Sequence, residues 1–155
     1  MRNLFVVLIM VLVSCSNESE IDRADLVGLW AFDGGFSISG SGQLITYEFG
    51  TDNSFEILAF YQTTDGEVLG FRSRSTGIYA VSGNDLYMDV TRVYQNDDTQ
   101  VDFVETIEEL TLTNQGWNQT VEVSFNETRS SMTFDYGPCE DTFSCIGTQT
   151  FARVE

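Results

Sequence analysis

The chain of 155 residues contains no histidine and no lysine, so its seven cationic side chains are all arginine. Without histidine there is no imidazole to activate a serine or cysteine nucleophile, and none to ligate a metal. Without lysine there is no Schiff base and no phosphate-loop ammonium. These absences remove most common catalytic constellations. Positive charge is scarce in total as well: against 24 acidic residues the formal net charge is −17, which makes nucleic acid and anionic headgroups poor partners. Cationic proteins, cations and uncharged ligands remain. With a single proline, no Pro-rich linker divides the chain, and one domain is expected.

The apolar run from Leu4 to Val13 follows one charge, Arg2, and has the form of a signal-peptide core. It is shorter than the roughly 20 apolar residues a membrane-spanning helix needs, so export is the better reading. The run ends in Leu12-Val13-Ser14-Cys15, which resembles the lipobox of bacterial lipoproteins. The resemblance implies cleavage before Cys15 and acylation of that cysteine, anchoring the chain to a membrane. One acyl chain, at about 0.8 kcal/mol per buried methylene, gives only marginal binding, so firm anchoring takes several. The alternative is an ordinary secretory signal with an incidental cysteine. Ser16 to Glu20 is too polar to fold alone and reads as a tether, similar to the acidic stretches of some Bacteroidetes-type lipoproteins displayed at the cell surface. The expected organisation is therefore a signal peptide over 1–14, a lipidated cysteine and tether over 15–21, and a folded domain over 22–155. The expected location is the bacterial outer membrane, on its periplasmic or surface face.

With Cys15 assigned to lipid, Cys139 and Cys145 form a natural disulfide pair in an oxidising compartment. So short a loop constrains the unfolded chain modestly, by about 2 kcal/mol. A redox role is less well supported, because the spacing is not Cys-x-x-Cys and no basic neighbour would lower a thiol pKa.

From Trp30 onward the pattern is one of strands. Val121, Val123 and Phe125 alternate with Thr120, Glu122 and Ser124, and Met132, Phe134 and Tyr136 alternate with Ser131, Thr133 and Asp135. The stretch from Ser54 to Tyr61 alternates imperfectly, since Leu58 and Phe60 oppose Phe55, Ile57, Ala59 and Tyr61. Turn signals such as Asp33-Gly34-Gly35, Asp65-Gly66 and Gly83-Asn84-Asp85 recur at short intervals. This is the form of an all-β antiparallel sandwich or barrel. Asp22 is placed to cap one helical turn within Ile21 to Gly28. Thr106 to Leu112 is ambiguous by pattern, and its Thr and β-branched residues favour a strand.

Leu26-Val27-Gly28-Leu29-Trp30, followed by Tyr47-Glu48-Phe49, Gly77-Ile78-Tyr79-Ala80-Val81 with Gly83-Asn84, and the closing Phe151-Ala152-Arg153, resembles the lipocalin and wider calycin barrels. The order and spacing are closer still to the small lipocalin-like lipoproteins of Bacteroidetes. The resemblance implies an antiparallel up-and-down barrel of about eight strands, filled by side chains or holding one small ligand. It further implies that Gly28 and Trp30 close one end and that Arg153 lies over the Trp30 ring. The region from Asn96 to Val104 and the cysteine loop depart from the family pattern.

Candidate sites follow with their alternatives. Phe49, Phe55, Phe60, Tyr61, Tyr79 and Tyr87 either line a cavity for a mostly apolar ligand or fill a solid core. Arg72, on one face with Arg74, either meets a ligand carboxylate or neutralises neighbouring acids. Asp97, Asp98 and Asp102 gather oxygen ligands of the kind calcium requires, without the ordered register of a calcium loop. Asn118 and Asn126 begin glycosylation triplets that a bacterial lipobox makes empty. Three functional readings result: binding of a small apolar ligand without any cofactor; an acidic module that binds a cationic protein; and carboxylate-based hydrolysis, for which no pair of acids stands out.

Overall fold

The computed structural model describes residues 20–36, 41–97, 101–113, 115–138 and 147–155. One helical turn, α1 (Arg23–Leu26), precedes nine strands: β1 (Gly28–Phe36), β2 (Ser41–Phe49), β3 (Ser54–Thr63), β4 (Val68–Ser82), β5 (Asp85–Gln95), β6 (Thr111–Thr113), β7 (Trp117–Phe125), β8 (Ser131–Asp135) and β9 (Thr148–Val154). The Asp22 side chain accepts from the Ala24 amide at 3.0 Å, the expected cap of α1.

All the strand pairs are antiparallel. β1 to β5 run as a meander, β5 pairs on to β7, β7 to β8, β8 to β9, and β9 returns to β1. The protein is an all-β, closed, up-and-down barrel of eight strands, with β6 outside the ring beside the last residues of β5. Closure removes the exposed strand edges that an open sheet of this length would leave.

β3 itself carries no extra residue, and the residues inserted opposite it, Leu69 and Arg72, lie on β4. The β3–β4 register shifts between Ala59 and Phe60 and again between Tyr61 and Gln62, and the β4–β5 register shifts between Thr76 and Gly77. Such bulges turn the sheet and re-aim side chains. Phe55 and Ala59 stay buried, whereas Phe60 meets Phe71 directly across the ladder, ring centroids 6.2 Å apart.

One expectation is corrected. Thr106 to Leu112 is not a continuous strand: Ile107–Glu109 is a 3-10 turn and only Thr111–Thr113 is extended. The Glu109 carboxylate accepts the Thr106 amide at 3.0 Å, a local bond that competes with a ladder. The place beside β5 that this segment would need is already occupied by β7 along most of the strand.

Candidate functional site

The inward faces of the eight strands divide the interior into two halves. In the half nearest α1, Trp30, Phe49, Phe55, Tyr79, Leu86, Met88, Val121, Val123, Met132 and Phe134 are all buried. Rings touch rings: Phe49 meets Tyr79 at 5.0 Å edge-on, Tyr47 meets Phe151 at 5.1 Å, and Phe134 meets Phe151 at 4.7 Å. Offset and edge-on pairs of this kind add to the burial term itself.

This end is sealed. The buried Trp30 indole donates to the Leu26 carbonyl at 2.7 Å. The Arg153 guanidinium lies 4.5 Å over the Trp30 ring and donates to the Asp25 carbonyl at 2.6 Å. Arg129 forms an ion pair with the Asp25 carboxylate while resting on the Phe125 ring. Gly28 starts β1 at φ +130°, a backbone conformation that L side chains rarely adopt. A Cβ there would meet nothing within 4 Å, so the glycine answers a backbone demand and not a shortage of space.

Toward the other end polar residues enter the inward faces beside apolar ones such as Val93, which lies opposite Ser75. Gln43 shares the face of Tyr47 and Phe49 on β2, Ser73 and Ser75 share that of Tyr79 on β4, and Gln119 shares that of Val121 on β7. Ser75 is buried. The Tyr47 hydroxyl is hydrogen-bonded to Tyr136, whose own O–H donates to Gln149 Oε1 at 2.9 Å. Burial first, and Tyr136 second, hold the Tyr47 phenol far above its ordinary range. Burial likewise raises Tyr136. Both are neutral hydrogen-bonding groups at any physiological pH.

The segment after β5 folds over this half. Val104 and Phe71 exchange backbone hydrogen bonds at 2.7 and 2.9 Å. Phe103 lies against Gly70, where a Cβ would fall 2.2 Å from its ring, and packs on Tyr61 with centroids 5.6 Å apart. The glycine is what lets the loop approach the strand so closely. The result is a polar-lined half with an aromatic pair, Tyr61 and Phe103, at its edge.

The residues singled out from the sequence fall into different places. Phe49, Phe55 and Tyr79 belong to the packed half, with the Tyr79 hydroxyl donating to the Gly50 carbonyl at 2.8 Å. Tyr61 lies at the edge of the polar half. Phe60 faces outward by alternation with the buried Ala59, paired with Phe71. Tyr87 is 44 % exposed on the outer face of β5, between Ala80 and Thr120, because its neighbours Leu86 and Met88 take the inward positions. Neither Phe60 nor Tyr87 lines the interior. Arg72 is the exposed extra residue of the β4 bulge, while Arg74 pairs with Glu56 at 2.6 Å. Asn96 donates to the Val101 carbonyl at 2.8 Å, next to Asp97 on one side and Asp102 on the other. Among the described residues no group of three potential ligands is arranged to hold a metal. Asp98, Cys15, Cys139 and Cys145 lie outside the described residues.

Gln43, Gln119, Gln149, Phe103 and Tyr136 were not picked out from the sequence as site residues. The signal was present for three of them: Gln43, Gln119 and Gln149 are polar residues at the inward parity of otherwise apolar strand faces. Among the described residues no helix is long and apolar enough to cross a membrane. Comparison with protein-family models, with curated proteins and with solved structures gave no match.

Proposed function

We propose that the protein is a lipid-anchored envelope protein, without catalytic activity of its own, that binds a small, mostly apolar molecule in the polar-lined half of its barrel. The observation that carries this reading is the change of lining along the interior. Buried polar groups in a filled apolar core cost stability unless hydrogen-bonded. Eight strands that could all have carried apolar residues instead present Ser73, Ser75, Gln43 and Gln119 toward one end, with the Tyr47–Tyr136–Gln149 chain between that end and the packed rings. A pocket of mostly apolar walls with a few aimed polar groups is the usual form of a small-ligand site. In this reading Tyr61 and Phe103 cover the ligand's apolar part and the glutamines fix its polar end. Cys15 carries the anchor and the acidic stretch after it holds the barrel off the membrane.

Native mass spectra of the protein from its own host, before and after denaturing extraction, test both parts. The anchor requires an acylated chain beginning at Cys15, and the carrier role requires a small organic adduct that is lost on unfolding. A chain that keeps residues 1–14 would overturn the anchor. An apo mass that persists after incubation with host lipid extract would overturn the carrier role.

A further inference from the structure

The outer wall of the barrel carries an apolar hollow of about 280 Å3 across β4, β5 and β7, in which Ile78, Ala80 and Tyr87 are flanked by Asp89, Asn118 and Thr120. Ile78 is 59 % exposed and Tyr87 44 % exposed. Two adjacent large apolar side chains on an outward strand face are unusual beside the polar residues that such faces normally carry. Beside them runs a row of three exposed carboxylates in direct register: Asp85 faces Glu122 across β5–β7, and Glu122 faces Asp135 across β7–β8. Directly opposed like charges destabilise a sheet. Among the described residues no cation forms an ion pair with any of the three; Arg129 lines a hollow with Glu122 but pairs with Asp25, and Arg92 lies in another hollow with Glu48 and Glu56. The wall therefore combines exposed apolar side chains with opposed carboxylates, of which Asp135 also accepts the Gly137 amide at 2.8 Å.

We propose that this wall is the docking surface for a cationic protein segment, one that sets an apolar or aromatic side chain between Ile78 and Tyr87 and arginines or lysines against Asp85, Asp89, Glu122 and Asp135. Charge selects this occupant. A second copy of the chain and an anionic membrane are both repelled by a net charge of −17. A neutral apolar partner leaves the carboxylate row unanswered. A basic partner relieves the row and is steered to it over a distance of about a Debye length. The surface is separate from the barrel interior, so it stands whether or not a small ligand is carried.

The test uses the full-length protein in nonionic detergent and a fluorescein-labelled peptide with arginines around a central tryptophan, read by anisotropy. Binding is expected to saturate and to weaken with salt. Ile78→Ser with Tyr87→Ser is expected to weaken it by roughly tenfold or more, and Tyr87→Arg to do the same through charge. Glu122→Gln with Asp135→Asn is expected to flatten the salt dependence. Glu67→Gln, exposed between β3 and β4 and outside this hollow, is expected to leave binding unchanged. Failure of the peptide to bind, equal binding of its glutamate counterpart, or equal losses from Glu67→Gln and Tyr87→Arg would each overturn the proposal.

Discussion

Near α1, Trp30, Met132 and Phe134 have no exposed surface, and the Trp30 indole N–H has a carbonyl partner. At the other end the same strands carry Gln43, Tyr61, Ser73, Gln119 and Gln149, only partly buried, beside a segment that exchanges backbone hydrogen bonds with Phe71. One set of ladders thus supports two interiors, one closely packed with aromatic rings and one with polar, partly buried residues among the apolar ones. Stability is unevenly spread in such a molecule, and binding surfaces are drawn from its weaker part.

The largest test of this contrast is a pair of truncations. Phe134→Ala removes a ring that touches Tyr47, Tyr136 and Phe151 and should cost about 3–5 kcal/mol by urea unfolding. Tyr61→Ala, at the polar edge, should cost about 1 kcal/mol. Equal losses would erase the distinction between the halves. Alkali is the next lever. The native state keeps the Tyr47 proton where the unfolded chain gives it up, so its contribution is complete below about pH 10 and is lost as pH rises from there through the raised folded value. Urea midpoints at stepped alkaline pH should fall, and Tyr47→Phe should remove much of that slope.

Arg153→Ala strips both the cation over Trp30 and the bond to the Asp25 carbonyl, for about 1–2 kcal/mol. Arg153→Lys should recover only part, since an ammonium lacks the planar fork. Tyr136→Phe deletes the donor to Gln149 at a cost of about 1 kcal/mol. Its larger effect should be on retention of any co-purified adduct, which Arg153→Ala should leave alone. The smallest change is expected on the outside: Glu56→Gln breaks the Arg74 pair, about a third exposed on both sides, for about 0.5 kcal/mol that shrinks further in salt.

Much of the barrel was legible because strand alternation is written locally. Val121 and Val123, and Met132 and Phe134, read inward in the sequence and are buried in the structure. Asp22 announced α1 because a cap needs only the next few residues. Phe60 and Tyr87 were misread as interior for one shared reason: a hydrophobic ring has the same local signature on either face of a strand. Alternation along β3 already set Phe60 on the face opposite Ala59 and Tyr61, and the ladder keeps it there.

Composition alone determined that no imidazole or primary side-chain amine is available for chemistry, that the surface is strongly acidic, and that short alternating strands would make an all-β domain. These properties depend on residue identity and on spacing of a few positions. The tertiary structure alone decided that β7 and not β6 completes the ring, that polar inward residues gather at one end, and that Asp85, Glu122 and Asp135 stand in one row. Each of these depends on which residues come to lie opposite one another across a ladder. That register is set by ring closure and bulges together, over separations that no local pattern spans.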